Sequence, residues 1–445
     1  MISNSEKKYH FTSFQLIIAG FAAVILIGAI LLMLPISSVS GQITPFNETL
    51  FTSTSAVCVT GLVVNDTATY WSLFGHIVIL LLIQIGGLGV ITVAASFALL
   101  SGRKFSLMQR STMQEAIAAP QMGGIVKLTG FVLKATFTIE LIGALLMLPS
   151  FCRGFGLKGI WMSLFHSVSA FCNAGFDILG RPDSLYPSLT AYISDPVINI
   201  TIMLLIITGG IGFLTWDDIQ HNRHHFKKYR MQSKVILVTT ALLIIIPAIL
   251  FFCFEFNKLP IRERLLSSLF QSVTPRTAGF NTVNLAAMSG VSQAVMIILM
   301  LIGGSPGSTA GGMKTTTIAV LFANIVAVFK RKDDAEFFGR RLEPSVIRNA
   351  SAILIMYMTL FLTGAFIISV AEGLPLSVCL YETASAVATV GLTLGITPEL
   401  GILSQLILIT LMFIGRVGGL TLIYAALSGT NKKLSKLPQE KITVG

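Results

Sequence analysis

Four short segments of this chain end alike, in a glycine followed by Leu or Phe. They span 54–62, 168–176, 273–280 and 384–392, and their glycines, Gly61, Gly175, Gly279 and Gly391, are separated by 114, 104 and 112 residues. Glycine reaches backbone dihedrals that turn consecutive carbonyl oxygens toward one axis. Carbonyls from four such loops can replace the hydration shell of a dehydrated cation. The oxygens would come from Val59, Thr60 and Gly61, from Asn173, Ala174 and Gly175, from Thr277, Ala278 and Gly279, and from Thr389, Val390 and Gly391. One turn glycine in a loop carries no such meaning, but the same offset used four times is an internal repeat.

The elements that would position these loops are membrane spans. Apolar residues make up 53% of the chain and charged ones 11%, and the mean hydropathy is +0.81, values far from those of a water-soluble domain. Eight apolar stretches stand out, at 14–34, 73–100, 128–149, 196–216, 235–256, 291–329 with an interruption, 349–371 and 402–428. Most approach or exceed the roughly 20 residues that a helix needs to cross the hydrocarbon.

The net charge of +11 does not point to nucleic acid, because of where the charges sit. Segments 1–13, 101–127, 217–234, 330–348 and 430–445 hold 21 Lys and Arg residues, whereas the intervening segments hold 7. The positive-inside rule therefore places both termini in the cytoplasm of a multi-pass cell-membrane protein and the glycine segments outside. The first stretch is too long for a signal peptide, and no small-residue cleavage site follows Pro35, so it reads as a retained helix. The five cysteines have neither metal-ligand spacing nor an even count.

Ahead of the glycines lie segments 46–56, 160–170, 264–274 and 376–386, long enough for two or three helical turns and too short to cross. They are expected to be re-entrant pore helices whose negative dipole ends favour a cation near the membrane centre. The fold class that follows is all-α, with four covalently linked helix, pore loop, helix (M1-P-M2) repeats around a pseudo-fourfold central pore. Repeats occupy 14–104, 105–220, 221–334 and 335–430, between a cytoplasmic N-terminus, 1–13, and a C-terminal tail, 431–445.

The second helix of each repeat carries another signature: Gly86-Gly87-Leu88-Gly89, Gly209-Gly210-Ile211-Gly212, Gly303-Gly304-Ser305 and Gly415-Arg416-Val417-Gly418. In the first two copies close helix packing accounts for it. The third opens into Gly303-Gly304-Ser305-Pro306-Gly307-Ser308-Thr309-Ala310-Gly311-Gly312-Met313-Lys314. This stretch must lie inside protein or along a water path, since its backbone cannot face lipid, and it is a gate candidate. It fails the phosphate-loop spacing, because Met313 separates Gly312 from Lys314.

In the fourth copy Arg416 stands where the others have glycine, an expensive charge within an apolar span that is expected to face the pore below the loops. Glu140 is the other embedded charge; it could pair with Lys134 or be hydrated near one face. Arg276 is expected to brace the third loop through carbonyls. His221, His224 and His225 sit in a basic loop without accompanying ligands, and no nucleophile, base and orienter set indicates an enzyme.

Together these residues resemble the Trk/Ktr/HKT superfamily of potassium transporters, most closely its Ktr-type membrane subunits, over essentially all eight spans. The likeness rests on Thr60-Gly61-Leu62, Asn173-Ala174-Gly175-Phe176, Pro275-Arg276-Thr277-Ala278-Gly279-Phe280, Thr389-Val390-Gly391-Leu392, the break at 303–312 and Arg416. Thr389-Val390-Gly391 also matches the start of the TVGYG filter of potassium channels. The resemblance implies that the four glycines are selectivity-filter residues binding potassium, and that glycine at all four favours potassium over sodium. It makes the third-unit break an intramembrane gate that includes Arg416. It further implies a homodimer in the lipid membrane, docked on a cytoplasmic ring of RCK/KTN-type regulatory subunits that bind ATP or ADP, with sodium as an activator. This chain itself has no nucleotide-binding motif. A gated, channel-like pathway and an obligatorily coupled sodium or proton symport both remain open; repeats that are not inverted favour the pore.

Overall fold

The computed structural model describes residues 12–100, 107–117 and 124–418. Its helices, in chain order, are α1 (Ser13–Met33), α2 (Phe46–Val57), α3 (Thr67–Tyr70), α4 (Leu73–Leu88), α5 (Val90–Leu100) and α6 (Leu107–Ile117). Next come α7 (Ile125–Phe155), α8 (Lys158–Phe171), α9 (Pro196–Gly210) and α10 (Phe213–Asn222), then α11 (Met231–Leu250), α12 (Ile261–Val273), α13 (Gly290–Leu301) and α14 (Thr315–Phe329). A two-residue hairpin, β1 (Glu336–Phe337) with β2 (Arg340–Arg341), leads to α15 (Pro344–Glu372), α16 (Leu376–Val387) and α17 (Ile402–Val417).

Local sequence sets the starts of several of these helices. Thr12 and Gln15 form a capping box at α1, each satisfying a backbone N–H of the other. Asp195 accepts from the Val197 and Ile198 amides ahead of α9, with Pro196 at the first helical position. Ser72 and Ser289 do the same for α4 and α13.

By length and composition α1, α7, α15 and α11, the last extended by a π turn to Glu255, can each cross a bilayer. Each long helix packs on the short helix that follows it: α1 on α2, α7 on α8, α11 on α12 and α15 on α16. Exposed Ile27, Ile30, Leu141, Leu145, Ile246, Ile249, Ile355 and Val370 give the long helices an apolar outer face, as lipid requires. The short helices are central instead. Phe51, Phe165, Phe270 and Tyr381, one on each, are at most 1% exposed.

The packing closes into a circle. The second helix of one group lies against the short helix of the next, α4 on α8, α9 on α12, α13 on α16, and α17 back on α2. Of the eight expected spans, 73–100 and 196–216 are not straight. Residues 73–88 and 90–96 meet at 96°, and α9 and α10 meet at 97°. Gly89 (φ 85°) and Gly212 (φ 88°) form the corners in a left-handed conformation that a side chain disfavours. Stretch 291–329 is α13 and α14 flanking an irregular loop, and α17 stops at Val417, with 419–428 outside the described residues.

Candidate functional site

The glycine segments converge where the four short helices end. In each loop a non-glycine residue takes positive φ two positions before the glycine: Val59 (58°), Asn173 (60°), Thr277 (65°) and Thr389 (53°). The glycines follow at 91°, 69°, 84° and 93°. Left-handed residues that are not glycine are uncommon, so four at one offset mark loops held by their surroundings. That holding is visible. Ser55 Oγ accepts from Gly61 N at 3.0 Å, and Ser385 Oγ accepts from Gly391 N at 2.9 Å. Ser169 Oγ donates to Phe176 O at 2.7 Å and Thr274 Oγ1 to Phe280 O at 2.5 Å.

No side chain fits at the glycines. A Cβ on Gly175 would stand 2.6 Å from Ala278 O and 2.8 Å from Gly279 Cα. One on Gly279 would stand 2.5 Å from Val390 O; one on Gly391 would meet Thr60 O, and one on Gly61 would meet Ala174 O. Each loop therefore abuts the carbonyl of the next, and the fourth returns to the first. The twelve residues named from the sequence in these loops come together in this ring, and all are buried.

The ring has a cavity on each side. One of about 100 Å³ is lined by the four glycines together with Asp66, Asp177, Tyr186, Asn281 and Thr393. Burial pushes the Asp177 carboxyl up to about 7, and the nearby Asp66 charge adds to this against a 3.1 Å hydrogen bond from Leu179 N. Beyond the ring, a second cavity of about 380 Å³ is bordered by Gly87, Pro306, Gly307, Ala310, Gly312, Lys314 and Arg416.

The 303–314 loop borders this second space as a tied crosspiece. Gly303 N donates to Met313 O at 2.8 Å and Thr315 N to Gly304 O at 3.0 Å, closing its base. Ser305 N donates to Gly210 O at 3.0 Å, Thr309 N to Gly209 O at 3.2 Å and Phe213 N to Gly307 O at 2.7 Å, fastening it to the second group. Thr309 Oγ1 adds a 3.0 Å bond to Phe171 O. On the other flank a Cβ at Gly312 would stand 2.8 Å from Ala388 O. Lys314 Nζ donates to Ala310 O at 2.8 Å and Gly311 O at 3.2 Å within the loop itself.

Arg416 joins three groups. Its guanidinium donates to Thr309 O, to Gly86 O and, at 3.3 Å, to Gly87 O. Its planar fork of five donors holds carbonyls from separate groups in one fixed geometry, which the single ammonium of a lysine does not impose. Arg416 also borders the larger cavity, so its cationic head adjoins any path leading from the ring.

Three sequence expectations change. Glu140 is 3% exposed and accepts from Gln84 Nε2 at 3.1 Å, whereas Lys134 is exposed, so the carboxyl joins α7 to α4 and not to that lysine. Arg276 Nη2 donates to the Thr240 hydroxyl at 3.2 Å, bracing the third loop on α11 instead of on carbonyls. The glycine signatures of the first two groups do more than permit close packing. Gly86 and Gly209 seat α4 and α9 on Val57 O and Phe171 O, as Gly415 seats α17 on Val387 O, and Gly89 and Gly212 then turn the chain. The third glycine of each signature, three residues beyond the first, was the available signal.

The four loops thus meet in a ring with a tied crosspiece beneath it, in a chain whose long helices are apolar enough to cross a membrane. The family model described as cation transport protein, TrkH, matches residues 3–435, and this chain belongs to that Trk/Ktr family. It is 42% identical over 443 residues to the potassium/sodium uptake protein NtpJ of Enterococcus hirae, covering 97% of each chain. It is 38% identical to the Ktr system potassium uptake protein B of Bacillus subtilis, covering 99% of this chain and 98% of that one. The crystal structure of the potassium transporter TrkH from Vibrio parahaemolyticus superposes with a TM-score of 0.74 at 18% identity, over 95% of this chain and 86% of that one. The chain is thus a multi-pass membrane transport protein with the fold of that structure.

Proposed function

We propose that this protein carries potassium into the cell through the ring of Gly61, Gly175, Gly279 and Gly391, which acts as the selectivity filter of four M1-P-M2 repeats. The observation that supports this most is the closure of the ring, each glycine abutting the next loop's carbonyl. Thr60, Ala174, Ala278 and Val390 supply the oxygens beside the glycines, with Val59, Asn173, Thr277 and Thr389 one step deeper. A filter of this kind replaces an ion's hydration shell with carbonyl dipoles. The 303–314 loop is the gate, and Arg416 its latch: the three carbonyls it engages belong to two separate repeats.

In this reading both termini are cytoplasmic, two copies associate in the plasma membrane, and a nucleotide-binding ring on the cytoplasmic side moves the gate. Relatives named as Ktr system proteins support a multisubunit assembly. Sodium acts as an activator, in keeping with a relative whose name includes sodium. Obligatory symport is the competing mechanism.

Rubidium uptake into proteoliposomes holding the chain at fixed potassium, with and without sodium, separates the two. A conducting pore gives uptake that follows the potassium gradient, persists without sodium and is lost when Gly391 is replaced by valine. Uptake that occurs only with a sodium gradient, sodium moving in step, would establish coupling instead.

A further inference from the structure

Glu382 lies on α16, nine residues before Gly391, and is fully buried at 0% exposure. Its Oε2 accepts from Thr393 Oγ1 at 2.8 Å, and its Oε1 accepts from Thr397 Oγ1. Thr393 Oγ1 in turn accepts from Gly395 N at 2.9 Å. Both threonines follow Gly391, so a carboxylate from behind the fourth loop grips the segment beyond its glycine. Each carboxyl oxygen thus meets one hydroxyl donor.

The other three groups place a different residue at this point. The runs Leu50-Phe51-Thr52, Leu164-Phe165-His166, Leu269-Phe270-Gln271 and Leu380-Tyr381-Glu382 end nine, nine, eight and nine residues before the glycines. Thr52 is 1% exposed and His166 and Gln271 are 0% exposed, yet Thr52 Oγ1, His166 Nε2 and both amide atoms of Gln271 have no hydrogen-bond partner among the described residues. None of the three reaches past its own glycine.

Their outer segments are secured sideways. Asp66 Oδ2 accepts from Tyr186 N at 2.8 Å and Val64 O from Tyr186 Oη at 2.9 Å, joining the first to the second. Ser188 Oγ accepts from Asn281 N at 3.0 Å, and Leu189 N donates to Asn281 O at 2.9 Å, joining the second to the third. Among the described residues, every hydrogen bond of segment 391–400 stays inside the fourth group. Glu382 does for that segment what neighbours do for the rest.

We infer that Glu382 is a positioning residue for ion discrimination: by holding Thr393 and Thr397 it fixes the outer end of the fourth loop and, with it, the Val390 and Gly391 carbonyls. This rests on the filter reading proposed above. The role is distinct from bulk stability, because one side of the carbonyl ring would relax while the other three stay tied.

The test is rubidium uptake into proteoliposomes under increasing sodium competition, comparing the full chain with E382A, E382Q and G391S, each checked for a monodisperse gel-filtration peak. E382A should lower the potassium-over-sodium ratio on the order of tenfold, the scale of losing two buried hydrogen bonds. E382Q, isosteric but with one acceptor in place of two, should lower it about threefold, and it carries the test should E382A fail to fold. Adding T393V to E382A should cost nothing further, since the two act as one unit. A merely structural role would depress uptake of both ions equally; that result, with G391S still lowering the ratio, overturns the assignment of Glu382. An unchanged ratio in G391S would overturn the filter reading itself.

Discussion

The glycine ring and the layer beneath it are built from the same four groups by opposite rules. In the ring every group contributes alike: a positive-φ residue, a glycine two positions on, and a seryl or threonyl hydroxyl holding the turn. Below it, α4 and α9 end in sharp corners, α13 releases the 303–314 crosspiece, and α17 brings Arg416. Equal contributions suit a group that surrounds one spherical ion. Unequal ones give the crosspiece different ties on its two flanks, backbone hydrogen bonds to the second group on one and the Arg416 guanidinium of the fourth on the other.

Damage to the ring should have the largest effect. Gly175→Val should reduce uptake at least about a hundredfold in a protein that still folds, because a branched side chain at positive φ meets the Ala278 carbonyl; flux in proteoliposomes and gel filtration check both halves. Gly61→Ser should keep transport but lower potassium-over-sodium discrimination on the order of tenfold as its side chain displaces the adjoining carbonyl, measured as sodium competition against rubidium.

Damage to the lower layer should act in the other direction. Arg416→Ala frees the Thr309 and Gly86 carbonyls and should raise uptake without a regulatory partner by about threefold to tenfold, the scale of one or two hydrogen bonds, with discrimination unchanged. A change in discrimination together with rate would show that the two regions are not separable.

The smallest effect concerns the mouth above the ring. Burial pushes the Asp177 carboxyl up to about 7, so acidifying the outside from pH 8 to pH 6 should neutralise it and remove negative charge from the cavity. Uptake at subsaturating potassium should fall about twofold, as local cation concentration falls with the field. Asp177→Asn should start at the lower level and show no such dependence.

Much of the ring was legible in the sequence, because a glycine that cannot be replaced leaves its own letter. Gly61, Gly175, Gly279 and Gly391 could be read at once, and their neighbours followed by offset. The left-handed residues two positions earlier could not, since Val59, Asn173, Thr277 and Thr389 share no single residue type and owe their geometry to the packing around them. Apolar runs at 73–100 and 196–216 looked like straight spans because hydropathy is blind to a corner; only φ at Gly89 and Gly212 makes it. Arg416 announced itself as a misplaced charge, but its carbonyl acceptors belong to residues 107 and 330 positions away. Glu140 misled for the same reason, since sequence proximity suggested Lys134 while the fold supplied Gln84, 56 residues off.

Having all four loops on one polypeptide has a genetic consequence. In a pore assembled from four identical chains, any substitution arrives fourfold, and a single buried acid behind the filter would become four acids crowded around one axis. Here Thr52, His166, Gln271 and Glu382 lie eight or nine residues before their glycines yet differ in size, charge and proton-donating capacity. Each can mutate alone. The ring can therefore be retuned one quadrant at a time, in steps four times finer than an oligomeric pore allows.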